Sequence, residues 1–128
     1  MPILALRTSP PVSADRQAAL ARGLQALSTR ILGKRPAVTA VLVEGLPQGQ
    51  WFIGGEPPAA TALLEIRITA GSNSAEEKQA FIAAAWQELQ QQLGPLAEAS
   101  YVVVQEVDAR DWGYAGRTQA QRRSMAAA

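Results

Sequence analysis

The sequence predicts an α/β fold of two layers (α+β): a tandem β-α-β repeat whose four-stranded mixed sheet carries two helices on one face. Two observations predict it. Landmarks of the first half recur about 61 residues later, and each half reads as strand, helix, strand. A length of 128 residues suits one domain. We therefore expect a single domain over residues 1–116, built from repeats 2–58 and 61–116, followed by a polar tail over residues 117–128.

The first strand of each half is an apolar run that ends in arginine. Ile3 to Arg7 reads Ile-Leu-Ala-Leu-Arg, and Leu63 to Arg67 reads Leu-Leu-Glu-Ile-Arg. The match in position and character makes them equivalent strands.

The helix of each half has a start and a stop signal. Ser13 and Ser74 are predicted N-caps, the second in a capping box with Glu77. Gly33 and Gly94 follow at equal distances and predict the two C-terminal ends. The helices should therefore have equal lengths. Apolar stripes at helical spacing mark their core faces: Leu20, Leu24, Leu27 and Ile31 in one, and Phe81, Ala85, Leu89 and Leu93 in the other.

The second strand of each half is rich in β-branched residues and precedes a turn that contains tryptophan and glycine. The predicted strands are Val38 to Glu44 and Tyr101 to Val107. The turns are Trp51 to Gly55 and Trp112 to Gly116.

The sheet face opposite the helices is predicted to be largely apolar and uncovered, which favours oligomerisation. Its predicted apolar residues are Ile3, Ala5, Val41, Val43, Leu63, Val103 and Val107. Glu65 and Arg67 fall on the same face, where we expect a salt bridge across a subunit contact.

Composition limits the chemistry. The net charge is +1, and no run of about 20 apolar residues is present, so we expect a small ligand, no nucleic acid, no membrane and a cytoplasmic location. The chain has neither Cys nor His, which excludes thiol nucleophiles, Cys-His metal sites and histidine triads. Proton transfer near neutral pH then needs a carboxylate, Lys, Tyr or a terminal amine. Removal of Met1 would leave Pro2 as such an amine, with an unperturbed pKa of about 7.7 to 8.0.

Two segments resemble a known family. Val38 to Glu44, followed by Trp51 to Gly55, is similar to the C-terminal half of the short 4-oxalocrotonate tautomerase subunit. Gly33 to Pro36, Gly-Lys-Arg-Pro, resembles the Gly-Lys-Pro-Pro turn of macrophage migration inhibitory factor. Over residues 2–116 the chain is therefore identified as resembling the fused branch of the tautomerase superfamily.

The resemblance implies a homotrimer with a catalytic N-terminal proline, no cofactor and a small carboxylate substrate. Ile66 falls where a backbone amide contacts the ligand, and Trp112 and Tyr114 are expected to supply an apolar wall. The predicted catalytic residues are Pro2, Lys34 and Tyr101, and the predicted substrate-binding residues are Ile66, Arg67, Trp112 and Tyr114. The predicted reaction is keto-enol proton transfer on a 2-keto or 2-hydroxy-dienoate acid, provided that Met1 is removed.

Departures from the family pattern limit the substrate and leave alternatives open. The two substrate-binding arginines of the 4-oxalocrotonate branch are replaced: Val12 and Thr39 stand there in the first half, and Tyr101 and a site beside Asn73 in the second. This predicts a preference for monocarboxylates. A segment that includes Asp111-Trp112 resembles malonate semialdehyde decarboxylase, so dehalogenation or decarboxylation remains open. Further alternatives are a catalytically silent trimeric binding or scaffold protein, and a ferredoxin-like antiparallel sheet.

Overall fold

A computed structural model describes residues 2–127 and contains a four-stranded sheet, a two-stranded hairpin and three helices. The elements are β1 (Ile3–Ser9), α1 (Ala14–Leu32), β2 (Ala40–Gly45), β3 (Thr61–Thr69), α2 (Ala75–Leu93), β4 (Tyr101–Val107), β5 (Gly113–Tyr114), β6 (Arg117–Thr118) and α3 (Gln119–Ala127). The sheet order is β2-β1-β3-β4. β1 pairs with β2 in parallel, β3 pairs with β4 in parallel, and β1 and β3 are antiparallel. The predicted mixed sheet is confirmed, and the ferredoxin-like antiparallel alternative is wrong.

The two long helices begin and end as their sequences predict. Each has 19 residues. The Ser13 hydroxyl accepts a hydrogen bond from the Arg16 backbone N–H, and Ser74 forms a complete capping box with Glu77. Gly33 takes the left-handed conformation, with φ of 71°, that commonly ends a helix. None of the helices within residues 2–127 combines the length and the hydropathy required to cross a membrane.

The core lies between the sheet and the two long helices. Alternate residues of β1 and β3 face it, so these strands bury every second side chain. Burial of each large apolar side chain contributes about 1.5–3 kcal/mol. The buried apolar residues are Leu4, Leu6, Leu20, Leu24, Leu27, Leu32, Ala62, Leu64, Ile66, Ile68, Phe81, Ala85 and Leu89.

The face of the sheet opposite the helices differs from the prediction in β2. Val41 and Val43 pack against the core, so their predicted place on the uncovered face is wrong. Leu42 lies on that face instead, paired in register with Ala5 and 50% exposed. The strand begins later than predicted, after a 3₁₀ turn over Pro36–Val38. In Val41-Leu42-Val43 both alternating sets of positions are apolar, so the sequence pattern fits either face of the sheet. An error of one residue in phase moves every side chain of a strand to the opposite face.

The same face is also more polar than predicted. Arg7 Nη1 donates to Glu65 Oε1 at 3.1 Å, and Arg7 Nε lies 3.6 Å from Glu44 Oε1. Glu65 is therefore paired with Arg7 within its own chain, and the predicted salt bridge across a subunit contact stays a prediction. Arg67 forms no ion pair among residues 2–127.

Candidate active site

Pro2 lies immediately before β1 and forms part of a pocket. Its side chain is less than 2% exposed, and its carbonyl accepts a hydrogen bond from the Ala40 N–H at 3.3 Å. Met1 lies outside the described residues. The pocket is open to solvent and has a volume of about 370 Å³. Its lining is mostly apolar: Pro2, Ile3, Ala37, Val38, Thr39, Ala40, Gly113 and Tyr114.

The 3₁₀ turn after α1 supplies one side of this pocket, which we call the proline pocket. Pro36 fits the first position of the turn because its missing N–H has no helical partner there. The Thr39 hydroxyl donates to the Arg35 carbonyl at 2.6 Å and closes the turn. Val38 and Thr39 are thereby held against Pro2.

The β5–β6 hairpin supplies the other side. Its two turn residues, Ala115 and Gly116, have φ of 52° and 79°, as a tight two-residue hairpin requires. A Cβ at Gly113 would lie 1.9 Å from the Arg117 carbonyl oxygen, so only glycine fits at that position. The hairpin brings Tyr114 to the pocket wall, as predicted for the apolar wall of the site.

A second pocket adjoins the proline pocket, and Val38 and Tyr114 line both. Its volume is about 300 Å³. Its lining residues are Lys34, Arg35, Val38, Thr69, Ser72, Tyr114, Gln119, Arg122 and Arg123. We call it the cationic pocket. The predicted catalytic Lys34 thus lies next to the proline pocket rather than in its lining.

Lys34 is held in a nearly closed environment. It is 8% exposed, and its Nζ donates to the Ser72 hydroxyl at 3.0 Å. Burial lowers the pKa of Lys34, and the negative charge of Glu77 partly opposes this effect. The backbone N–H of Lys34 donates to the Ser28 carbonyl at 3.1 Å, so the helix end fixes the position of the residue.

The helix α3 carries site residues that the sequence prediction assigned to a polar tail. The Arg122 guanidinium lies over the Tyr114 ring, 3.7 Å from its centroid, and Nη2 donates to the Tyr114 carbonyl at 2.8 Å. Arg122 and Arg123 both line the cationic pocket. The pair of adjacent arginines was the only sequence signal, and it does not reveal which surface α3 packs against.

The remaining predicted site residues lie apart from Pro2. Tyr101 is 64% exposed and pairs with Leu63, which pairs with Arg7. Arg7 is five residues from Pro2, or roughly 17 Å along the strand. Tyr101 therefore does not reach the proline pocket of its own chain.

Ile66, Arg67 and Trp112 have three different environments. Ile66 is fully buried in the core, and a β1–β3 register extended by one residue would place Ile68, rather than Ile66, opposite Pro2. Arg67 pairs in register with Ile3, which lines the proline pocket, and lies on the uncovered face. Trp112 precedes the hairpin, and its buried Nε1 has no hydrogen-bond partner among residues 2–127.

Comparison with known proteins gives matches in structure. Neither a protein-family model nor a curated protein sequence matches the chain. The fold is similar to that of Pt0534 inactivated by 2-oxo-3-pentynoate, with a TM-score of 0.85, 18% identity and coverage of 94% of this chain and 98% of that one. It is similar to Q0, a wild-type fused 4-OT that forms a symmetric trimer, with a TM-score of 0.84, 23% identity and coverage of 92% and 96%. It is also similar to a macrophage migration inhibitory factor-like protein from Entamoeba histolytica, with a TM-score of 0.78, 18% identity and coverage of 91% and 97%.

Proposed function

We propose that this chain, which has the fold of the fused 4-OT and migration inhibitory factor-like proteins, is a cofactor-independent tautomerase. Its substrate is a small 2-keto or 2-hydroxy-dienoate acid, and the Pro2 amine is the general base. One observation carries the proposal: Pro2 is buried at the edge of an apolar pocket, in a chain that has no histidine or cysteine to do the same work.

The mechanism requires a free amine at Pro2. Removal of Met1 converts the Pro2 nitrogen from an amide, which is not basic, into a secondary amine. Burial disfavours the charged ammonium form, so the amine is ready to accept a proton. It takes a proton from the carbon next to the substrate carbonyl, and the electron pair of that C–H bond moves to form an enolate. The Pro2 ammonium then returns the proton to another atom of the dienolate.

The enolate and the carboxylate of the substrate need positive partners. Lys34 is a nearly buried cation in the lining of the pocket that shares Val38 and Tyr114 with the proline pocket, and we assign it the anionic end of the substrate. Tyr114 lies on the apolar side of the proline pocket. The predicted role of Tyr101 requires a neighbouring subunit, because Tyr101 does not reach the proline pocket of its own chain, whereas Arg67 pairs with Ile3 of the same chain.

We further propose that this face closes in a homotrimer. Three of its apolar side chains are 39–64% exposed: Leu42, Tyr101 and Val103. The similar fused 4-OT forms a symmetric trimer. Light scattering should give about three times the 13.6 kDa mass of one chain.

Two glutamate variants test the trimer. Val103→Glu places a charge on the uncovered face and should shift the protein toward monomer. Ile82→Glu, in α2, is the matched control, because both side chains are 39% exposed but lie on opposite layers. A wild-type monomer at micromolar concentration, or equal behaviour of the two variants, would refute this assembly.

The chemical proposal is tested by labelling with 2-oxo-3-pentynoate, which inactivates the similar Pt0534. We expect loss of phenylenolpyruvate tautomerisation together with a covalent adduct that peptide mapping places on Pro2, and protection by phenylenolpyruvate. An N-terminus that keeps Met1 in the native protein would exclude the mechanism. A Met1-free chain without tautomerase activity would favour the catalytically silent trimer.

A further inference from the structure

The cationic pocket has more positive charge than a single substrate carboxylate requires. Four of its nine lining residues are cations, and none is acidic: the cations are Lys34, Arg35, Arg122 and Arg123. They come from two separate parts of the chain, the end of α1 and the helix α3. Tertiary structure therefore brings together charges of the same sign, which repel one another.

Carboxylates within residues 2–127 do not neutralise this group. Arg35 and Arg123 are exposed and form no ion pair with the described residues. Glu77 acts on Lys34 at a distance, but its Oε1 accepts the hydrogen bond of the Ser74 N–H at 2.8 Å. An acceptor of suitable charge is missing from the pocket lining.

Contacts with Tyr114 fix the guanidinium of Arg122 in the wall of the cationic pocket. Its stacking on Tyr114 and its bond to the Tyr114 carbonyl use one face and Nη2 of the guanidinium. Its Nε is buried and has no hydrogen-bond partner among residues 2–127. A buried donor of this kind is costly when unpaired, and a carboxylate or phosphate oxygen would satisfy it.

We propose that the cationic pocket is a subsite for a second anionic group, a carboxylate or a phosphate, at the distal end of a substrate whose keto-acid end reacts at Pro2. The shared wall of Val38 and Tyr114 makes the two pockets neighbours, so one elongated molecule can enter both. The assignment of this anionic group to the distal end of the substrate rests on the proposed function, whereas anion binding by the cationic pocket does not. The preference for monocarboxylates was predicted from the two replaced arginine positions of the 4-oxalocrotonate branch. That prediction did not include the arginines of α3, Arg122 and Arg123.

Direct binding tests the subsite without catalysis. The probes are inorganic phosphate and fumarate, titrated calorimetrically into the full chain at low ionic strength. The double variant Arg35→Gln/Arg123→Gln removes two exposed cations whose side chains form no ion pair with the described residues. Arg16→Gln, which removes an exposed cation of α1, is the charge control. We expect the double variant to weaken binding of at least one probe by about tenfold relative to Arg16→Gln. The probe that loses affinity identifies the distal group as phosphate or carboxylate.

Kinetics then tests whether the bound group belongs to the substrate. The ratio of kcat/KM for 2-hydroxymuconate, which has two carboxylates, to that for phenylenolpyruvate should fall by about tenfold in the double variant and stay constant in Arg16→Gln. Equal binding of both probes by the double variant and the Arg16 control would overturn the subsite. Anion binding in a chain that tautomerises neither substrate would instead refute the proposed function and leave the subsite in place.

Discussion

The two repeats share their elements but differ at the end where each first strand begins. In the first repeat, Pro2 and the turn after α1 line the proline pocket. At the corresponding end of the second repeat, a pocket of about 260 Å³ is lined by Ala59, Ala60, Pro95, Leu96 and Ala97, none of which titrates. The two repeats therefore share a scaffold, whereas Pro2, the proposed base, lines the pocket of the first repeat and has no titratable counterpart among the lining residues of the second.

The divergence begins at one helix end. Gly33 and Gly94 are 61 residues apart, and each ends a helix, but their ψ angles are 24° and −163°. After Gly33, the Lys34 N–H returns to a helix carbonyl, and the side chain of Lys34 is buried. Pro95 occupies the matching position of the second repeat and has no N–H to donate. The backbone therefore leaves the two helices in different directions, and only the first repeat has a cation, Lys34, at the matching position.

The largest expected difference between the repeats is in activity. Pro2→Ala, in the processed chain, should lower kcat/KM for phenylenolpyruvate by roughly 10² or more if Pro2 is the general base. Pro95→Ala alters the equivalent pocket of the second repeat and serves as the control. Similar losses in both variants would mean that the two pockets do not differ in function.

A smaller difference is expected in helix capping. The double variant Ser74→Ala/Glu77→Ala removes both bonds of the capping box, because the Ser74 hydroxyl accepts from the Glu77 N–H and the Glu77 carboxylate accepts from the Ser74 N–H, whereas Ser13→Ala removes a single cap bond. Loss of a cap typically costs about 0.5–2 kcal/mol, so we expect the double variant near the upper end and Ser13→Ala near the lower end. Urea unfolding measures the two free energies. A larger cost for Ser13→Ala would show that α1 depends on its cap more than the geometry indicates.

The smallest expected effect is the pH dependence that Lys34 gives to stability. Burial lowers the pKa of folded Lys34 below its usual 10.5, so the unfolded chain binds the proton more tightly. The folded state is therefore penalised at pH values below the folded pKa, and this penalty is relieved as the pH rises from that value toward 10.5. The unfolding free energy of the wild type, relative to Lys34→Met, should increase across this window. Arg16→Met, which removes an exposed guanidinium of α1, is the control and should show no such trend.

The helices and the first strands could be predicted from the sequence because their signals are local, and the catalytic role of Pro2 stays a prediction. A cap such as Ser74 and a stop such as Gly33 act within one helical turn. The phase of β2 was missed because the 3₁₀ turn at Pro36–Val38 delays the strand without a distinctive pattern of its own. The ion pair of Glu65 with Arg7 was not predicted, because the two residues are 58 positions apart in the sequence.

The cationic pocket could not be predicted because it depends on where α3 packs. In the sequence, Arg122 and Arg123 belong to an ordinary polar segment. The β5–β6 hairpin, which directly precedes α3, determines which surface of the protein the two arginines contact. Tyr101 differs from these arginines, because its sequence position predicts a role in the site. The antiparallel pairing of β1 and β3 nevertheless places Tyr101 at the end of the sheet opposite Pro2. The type of a residue can suggest its chemical role from the sequence, whereas the directions of the paired strands determine which residues lie beside it.

Pro2 precedes a strand that lies between two others, β2 and β3. The first residues of most domains fray, and a reactive group there would sample many orientations before each productive encounter. Here the Ala40 N–H holds the Pro2 carbonyl, and the proline ring itself fixes φ. Folding thus supplies in advance the loss of conformational entropy that positioning the proposed base, Pro2, would otherwise require in every catalytic cycle.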